Sequence, residues 1–399
     1  MRFPVRYLAF PAQPGQQPAL DGLRAFAILL VMARHGLRAE GAPPPEVRIG
    51  GWDVWGPFLN GWAGVDLFFV LSGFLIAGSL LRGGRPGIAT YLAGRALRIM
   101  PAYYAVLLIV AFGLVSFYPV PAENWGFRLA YHLLFLQDYL PADFNVVFWS
   151  LGVEEKFYLL APFLVLPLLA YRRAGRALLV LGGLIVMAPA LRALTALIFP
   201  WVADYPWFFM LFRSPFHASM DTLLVGVLAA WALHRPDLAE VARRHARALF
   251  WAGAAGFAAL ILPVELLARI TLYDKLAQSS LIALAGGAMV LGAAAGGAPV
   301  RFLGAAWLRV TARLSYCLYL LHLVLIPMAV HLLDGMLPGL AGGKRFAAFL
   351  LVYAALSLMV ALALHYLVEK PGLVLKARLA RAHTEAAQIP PRPSLLHPC

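Results

Sequence analysis

The first apolar stretch of the sequence carries two ionisable side chains, Arg24 and His35, eleven residues apart. In an α-helix this spacing is three turns plus about 20°, so both side chains share one face, about 16 Å apart along the axis. Ionisable groups inside a membrane are costly and usually functional. An imidazole changes protonation near neutral pH and suits proton abstraction from a hydroxyl. His35 is therefore a candidate general base, and the alternative is a histidine packed near a helix end.

Three carboxylates occur near the beginning of later apolar stretches, where they are expected to lie at a depth close to that of His35. Asp66 opens the second stretch, and Glu154 and Glu155 lie at the start of the fourth. A carboxylate beside an imidazole fixes its tautomer and stabilises the imidazolium, as in a catalytic dyad. These residues are therefore candidate partners of His35.

The same carboxylates have a structural alternative. Glu154 or Glu155 can pair with Lys156 or Arg213 and hold helices together without taking part in chemistry. The sequence does not distinguish the two interpretations, and both stay open.

A third candidate is the pair Arg95 and Arg98, expected in a loop before the third apolar stretch. Arginines three residues apart lie on one helical face. Their planar forks suit phosphate groups, so a phosphorylated ligand could bind there. The alternative is the ordinary excess of basic residues on the inner side of a membrane protein.

The composition shows what must position these residues. Of the 399 residues, 62% are hydrophobic and only 13% are charged, against roughly 25% charged in a soluble domain. Apolar runs near 20 residues are long enough to cross a bilayer core of about 30 Å. We predict an all-α, polytopic membrane bundle of about ten transmembrane helices, with a shorter, non-spanning apolar piece near 127–140. The predicted spans are 20–38, 62–81, 99–118, 146–170, 177–199, 210–233, 247–264, 278–298, 313–333 and 346–368.

Charge then predicts orientation and partners. With both termini inside, 21 of the 33 Lys and Arg residues fall in inner segments, as the positive-inside rule requires. The net charge of +14 is explained by this bias, and no basic-aromatic motif suggests nucleic acid as a partner. We expect a multi-pass protein of a bacterial-type cytoplasmic (inner) membrane, with the lipid bilayer as partner. Cys317 and Cys399, far apart, predict no metal site.

The chain divides into three parts in this interpretation. Residues 1–19 form a cytoplasmic N-terminal segment, residues 20–371 form the transmembrane domain, and residues 372–399 form a basic, Pro-rich cytoplasmic tail that we expect to be disordered.

Several motifs together resemble the acyltransferase-3 family of membrane O-acyltransferases. Their order and spacing agree with that family from residue 20 to residue 371. The matching segments are LDGLRA from Leu20 with His35 eleven residues after Arg24, GVDLFFVLSGF from Gly64, Arg95 and Arg98 leading to Pro101 and Tyr103, WSLGVEEKFY from Trp149, LSY from Leu314 with YLLH ending at His322, and Tyr366 with Glu369-Lys370-Pro371.

The resemblance implies transfer of an acyl group, usually acetyl, from cytoplasmic acyl-CoA to a sugar hydroxyl. The acceptor would be a carbohydrate or glycolipid, such as a surface polysaccharide, lipopolysaccharide or glycosylated natural product. No bound cofactor is expected, because acyl-CoA acts as a co-substrate. The residues implied are His35 as base with Glu154; Arg24, Arg95 and Arg98 as donor contacts; and Asp66, Glu155, Tyr158 and His322 as possible support.

One departure, one geometric difficulty and one rival function accompany this resemblance. Lys156 stands where many members of the family carry glutamine. His35 lies about 20 Å along its helix from the inner edge, so either the acyl-CoA arm reaches far or an acyl-enzyme carries the group. The rival is a membrane transporter of a glycan or small molecule, whose intramembrane charges would line a transport path.

The orientation gives the first testable prediction. Reporter fusions after Lys370 should report the cytoplasm and fusions in the 39–60 loop the opposite side, because the basic residues alternate in that way. A periplasmic signal after Lys370 would contradict the predicted topology.

Overall fold

The computed structural model describes residues 17–50, 52–82, 87–170, 173–262 and 269–388, and these form a helical bundle. The predicted N-terminal segment up to residue 16 and the Pro-rich residues 389–399 lie outside the described residues. The longer helices are α1 Pro18–Leu37, α2 Ala63–Arg82, α3 Ile88–Ala111, α4 Trp125–Leu133, α5 Trp149–Val165, α6 Ala174–Ile198, α7 Phe216–His234, α8 Pro236–Arg244, α9 Ala246–Ile261, α10 Gln278–Ala294, α11 Ala306–Leu321, α12 Ile326–Met336, α13 Gly342–Leu364 and α14 Lys370–Gln388.

Short elements connect these helices. One antiparallel pair of two-residue strands, β1 Arg48–Ile49 and β2 Trp52–Asp53, lies in the α1–α2 loop, with Ile49 opposite Trp52. Single helical turns and two π-helical segments complete the described chain. They are Gly56–Leu59, Val146–Phe148, Leu166–Ala170, Tyr205–Phe208, Phe209–Arg213 (π), Leu272–Leu276, Val300–Leu303 and His365–Glu369 (π).

The membrane-like character of the bundle is confirmed, whereas the count of ten spans stays a prediction. Within the described residues, five helices are long and apolar enough to cross a membrane: Ala63–Leu81, Ile88–Ala111, Ala174–Ile198, Phe216–His234 and Gly342–Leu379. A sixth results if α11 and α12, bent by 92° at a short break, count as one span. The other predicted spans coincide with α1, which carries charges, and with helices α5, α9 and α10 of 16 or 17 residues.

The third predicted span is displaced in the structure. The sequence places Arg95 and Arg98 in a loop before a span at 99–118, but α3 already begins at Ile88 and contains both arginines and Pro101. The charged side chains are accommodated inside the helix because they line a polar cavity. The shorter α4, only nine residues long, agrees with the prediction of a non-spanning segment near 127–140.

The centre of the bundle is the crossing of α2 and α7, which pack closely along their length. Two glycines make this approach possible. A Cβ atom at Gly73 would lie 1.9 Å from the Leu223 carbonyl oxygen, and one at Gly226 would lie 2.1 Å from that of Val70. Small residues at a helix crossing are typical of membrane bundles, where close backbone contact provides much of the attraction.

Two buried arginine–aspartate pairs fix the helices around this crossing. Arg213, at the end of the π segment before α7, donates two hydrogen bonds to Asp66 on α2, at 2.7 and 3.0 Å. Arg192 on α6 donates to Asp221 on α7 at 2.8 Å. Serines of α10 join both pairs. Arg213, which the structural alternative pairs with Glu154 or Glu155, thus pairs with Asp66 instead.

The C-terminal part is more ordered than the sequence suggests. The predicted boundary at residue 371 falls inside a helical segment that runs from Gly342 through the π turn and α14 to Gln388. α14 packs against α3. The first part of the predicted tail therefore belongs to the bundle.

The buried pair generates a prediction about stability. Asp66→Ala should lower the free energy of unfolding in detergent by about 3–5 kcal/mol, because it leaves the Arg213 guanidinium buried without its counter-charge. Glu240→Ala, which removes the exposed partner of Arg243, is the control and should cost below about 1 kcal/mol. Equal losses in the two variants would contradict the structural role of Asp66.

Candidate active site

A polar cavity of about 330 Å³ opens between α1, α2, α3, α5, α11 and α14. Four cationic side chains line it: Arg24 of α1, Arg95 and Arg98 of α3, and Lys376 of α14. All four are half-buried. Four cations in a cavity of this kind need either internal carboxylates or an anionic ligand to offset their mutual repulsion.

The helices position these cations from three directions. Arg95 and Arg98 occupy one face of α3, as their spacing predicts. The Arg95 guanidinium lies over two tyrosine rings, 5.6 Å from the centre of Tyr91 and 5.8 Å from that of Tyr158. Lys376 reaches the cavity from α14, near Arg95 and Arg98. The sequence-predicted donor contacts are therefore brought together, and Lys376 joins them.

Glu154 is the carboxylate of this cavity. Its Oε1 accepts a hydrogen bond from Ser72 of α2 at 2.5 Å, and its Oε2 accepts one from Tyr158 at 3.2 Å. It also interacts electrostatically with Arg24 and Arg98. Glu154 thus partly neutralises the cationic cluster, and both of its carboxylate oxygens accept hydrogen bonds.

The structure corrects the expected pairing of Glu154 with His35, since the described chain has no hydrogen bond or ion pair between them. The reason is the register of α5. Its first residue, Trp149, packs edge-on against Phe69, with ring centres 5.8 Å apart. Glu154 follows five residues later, so it meets α2 beyond Phe69, well past the beginning of the helix.

The remaining predicted carboxylate and its lysine neighbour lie elsewhere. Glu155 is half-buried, and its Oε1 has no hydrogen-bond partner in the described part of the chain. Lys156 pairs with Asp138 at 2.6 Å and donates to the Phe135 carbonyl at 2.7 Å. Lys156 therefore anchors the segment between α4 and α5 and does not enter the cavity.

His35 lies outside the cavity, next to a second histidine. Its ring centre is 5.1 Å from that of His322, and the two rings are inclined by 62°. The Tyr319 ring contacts His322 on one side, at 5.9 Å, and Phe68 on the other, at 6.2 Å. Tyr319 and Phe68 both line the cavity. These two rings form an aromatic partition between the cationic cavity and the histidine pair.

Hydrogen bonds hold the partition in place. The Tyr319 hydroxyl lies 2.6 Å from the Ser150 hydroxyl and donates to the Val147 carbonyl at 3.0 Å. The side-chain amide of Asn145 donates to the Leu320 carbonyl at 2.9 Å. α11 is therefore bound to the start of α5 immediately beside the cavity.

Sequence reasoning missed Lys376, Ser72 and Tyr319 as cavity residues. Ser72 and Tyr319 lie within the matched motifs, so attention to those motifs could have found them. Lys376 carries no such signal, because it lies beyond the last motif and reaches the site only through the packing of α14 on α3.

A separate buried group joins α11 to the π segment after α13. Cys317 Sγ donates to Glu369 Oε2 at 3.2 Å, and His365 Nδ1 lies 2.6 Å from the same oxygen. Ligand atoms of all three residues lie within 4.8 Å of one another, a spacing that could hold a metal ion. The sequence analysis predicted no metal site, because it considered only the two cysteines; Cys317 lies 52 residues before Glu369 in the chain, and the fold brings it to the His365–Glu369 pair.

Fold and site together define a multi-pass membrane protein with a cation-lined cavity and, beyond an aromatic partition, a histidine pair. The chain belongs to the acyltransferase-3 family, whose acyltransferase-domain model matches residues 17–367. The resemblance inferred from the motifs is thus confirmed. No solved structure matches the chain.

Similar proteins include two curated O-acetyltransferases. The peptidoglycan O-acetyltransferase OatA of Listeria monocytogenes is 29% identical over 181 residues, which are 41% of this chain and 26% of the relative. The O-acetyltransferase OatA of Staphylococcus aureus is 29% identical over 175 residues, 40% of this chain and 26% of the relative. The matched part of this chain thus spans about a quarter of either relative.

Proposed function

We propose that this protein transfers an acetyl group from cytoplasmic acetyl-CoA to a hydroxyl of a cell-surface polysaccharide. The observation that carries the proposal is the convergence of Arg24, Arg95, Arg98 and Lys376 on one cavity beside a partition that separates it from His35. Membership in the acyltransferase-3 family supports the reaction type. The relative named peptidoglycan O-acetyltransferase supports a polysaccharide acceptor.

The cationic cavity is suited to the phosphate-bearing end of acyl-CoA. Guanidinium groups form bidentate, charge-assisted hydrogen bonds with phosphate oxygens. Arg95 and Arg98 supply two forks from one helical face, and Lys376 supplies a point charge from α14, which packs against α3. Among the described residues that line the cavity, Glu154 is the one carboxylate beside four cations, so the lining has a positive excess that an anionic donor would neutralise.

The chemistry in this proposal needs one base and one leaving group. His35 removes the proton from the acceptor hydroxyl while the oxygen attacks the thioester carbonyl. The new C–O ester bond forms, the C–S bond breaks, and the CoA sulfur leaves with the electron pair and takes up the proton from His35. The thioester must pass the partition formed by Phe68 and Tyr319 to reach the base, or an enzyme nucleophile must carry the acyl group across it.

The donor site has a direct test. Arg95→Ala combined with Arg98→Ala, and separately Lys376→Ala, should raise the KM for acetyl-CoA by about tenfold or more, because each lost charge-assisted bond is worth roughly 1.5–3 kcal/mol. Arg378→Ala, an exposed cation two residues further along α14, is the matched control and should leave KM unchanged. An unaltered KM in the double variant would remove α3 from the donor site.

The base has its own test, which also separates the enzyme from the transporter alternative. Purified protein given acetyl-CoA and an oligosaccharide acceptor should release CoA, and His35→Ala should lower turnover by about 10² to 10⁴. His234→Ala, an exposed histidine at the end of α7, serves as the control. No acceptor-dependent CoA release by the wild type would favour a transporter.

A further inference from the structure

His322 stands where the α11–α12 segment bends by 92°. A helix broken at membrane depth leaves backbone carbonyls that need new hydrogen-bond donors. The Nδ1 atom of His322 lies 3.0 Å from the carbonyl oxygen of Leu318 and 2.9 Å from that of Tyr319. The Leu318 carbonyl also accepts the backbone N–H of His322 at 2.9 Å, so the imidazole adds a side-chain hydrogen bond at the bend, to the carbonyls of Leu318 and Tyr319.

These contacts determine the tautomer of His322. Carbonyl oxygens only accept hydrogen bonds, so Nδ1 carries the hydrogen. The other nitrogen, Nε2, is buried and has no hydrogen-bond partner in the described chain. A second proton at Nε2 would create a buried cation with no counter-charge, which is costly. His322 is therefore neutral, with the lone pair of Nε2 available as an acceptor.

The ring of His35 lies next to that of His322, with ring centres 5.1 Å apart. A histidine that acts as general base must keep one ring nitrogen protonated, so that the lone pair of the other nitrogen points to the substrate hydroxyl. In serine hydrolases a carboxylate does this, but here Glu154 is bonded to Ser72 and Tyr158 instead. Rings this close can share a hydrogen bond between the N–H of His35 and Nε2 of His322, and such catalytic hydrogen bonds often tighten only when substrate is bound.

We propose that His322 is the positioning residue of His35, an inference that rests on the proposed function. Nε2 of His322 accepts a hydrogen bond from one ring N–H of His35. The lone pair of the other His35 nitrogen then faces the hydroxyl of the acceptor substrate. When His35 takes the acceptor proton, the resulting imidazolium keeps its hydrogen bond to Nε2. The proton then leaves with the CoA sulfur, and the pair returns to its neutral state.

An unpartnered Nε2 does not by itself mark such a role, as His132 shows. His132 is equally buried, its Nδ1 lies 2.8 Å from the Arg128 carbonyl, and its Nε2 also lacks a partner in the described residues. Its neighbouring rings, however, belong to Tyr131, Phe144 and Phe148. The facing histidine is what distinguishes His322, and His132 provides a matched control.

Two substitutions separate the positioning role from the structural one. His322→Asn places an amide near Nδ1, so it keeps the donor to the bend but loses the acceptor. His322→Gln extends an amide oxygen to the position of Nε2. In the purified full chain with acetyl-CoA, we expect His322→Asn to lower kcat by about tenfold or more with KM for acetyl-CoA unchanged. His322→Gln should recover most of kcat, and His132→Asn should leave kcat near the wild-type value.

The outcomes are distinct from failure of the proposed function. Normal kcat in His322→Asn would overturn the positioning role, as would equal loss of kcat in the Asn and Gln variants accompanied by a lower thermal midpoint. If only the positioning role is wrong, His35→Ala is still inactive and the wild type still transfers the acetyl group, so the proposed function stands. By contrast, wild-type turnover in His35→Ala, or no CoA release by the wild type, would overturn the proposed function itself.

Discussion

A charge inside a bilayer must have a polar partner, and this constraint arranges the whole bundle. Two arginine–aspartate pairs meet it: Arg213 with Asp66, which are 147 residues apart in the chain, and Arg192 with Asp221, which join the successive helices α6 and α7. The cations of the cavity meet it in another way, by gathering around Glu154 in a space that a ligand can enter. The first arrangement stabilises the scaffold, and the second leaves a positive excess that is available for binding.

Much of the architecture could be predicted because helical periodicity and apolar length are local properties. The spacing of Arg95 and Arg98 predicts one face, and both arginines do line one cavity with Arg24. Apolar runs predict helices at nearly all their observed positions. The beginning of α3 was misplaced because basic residues were assigned to a loop, although a polar cavity accommodates them within a helix.

The arrangement of the site depends on contacts that no local pattern encodes. The depth of Glu154 follows from the packing of Trp149 against Phe69, which sets the register of α5 against α2. Lys376 reaches the cavity only because α14 folds back onto α3. The positioning role that we propose for His322 depends on the bend of α11 and on two backbone carbonyls, neither of which is visible in a motif.

The partition of Phe68 and Tyr319 has a consequence for the cell that contains this protein. The cationic cavity and the histidine pair are both polar, and an unbroken chain of polar groups and water between them would conduct protons. Two packed aromatic rings, one fixed by its hydroxyl, interrupt that chain. An apolar contact at this place would therefore act as insulation between two polar sites inside one membrane protein.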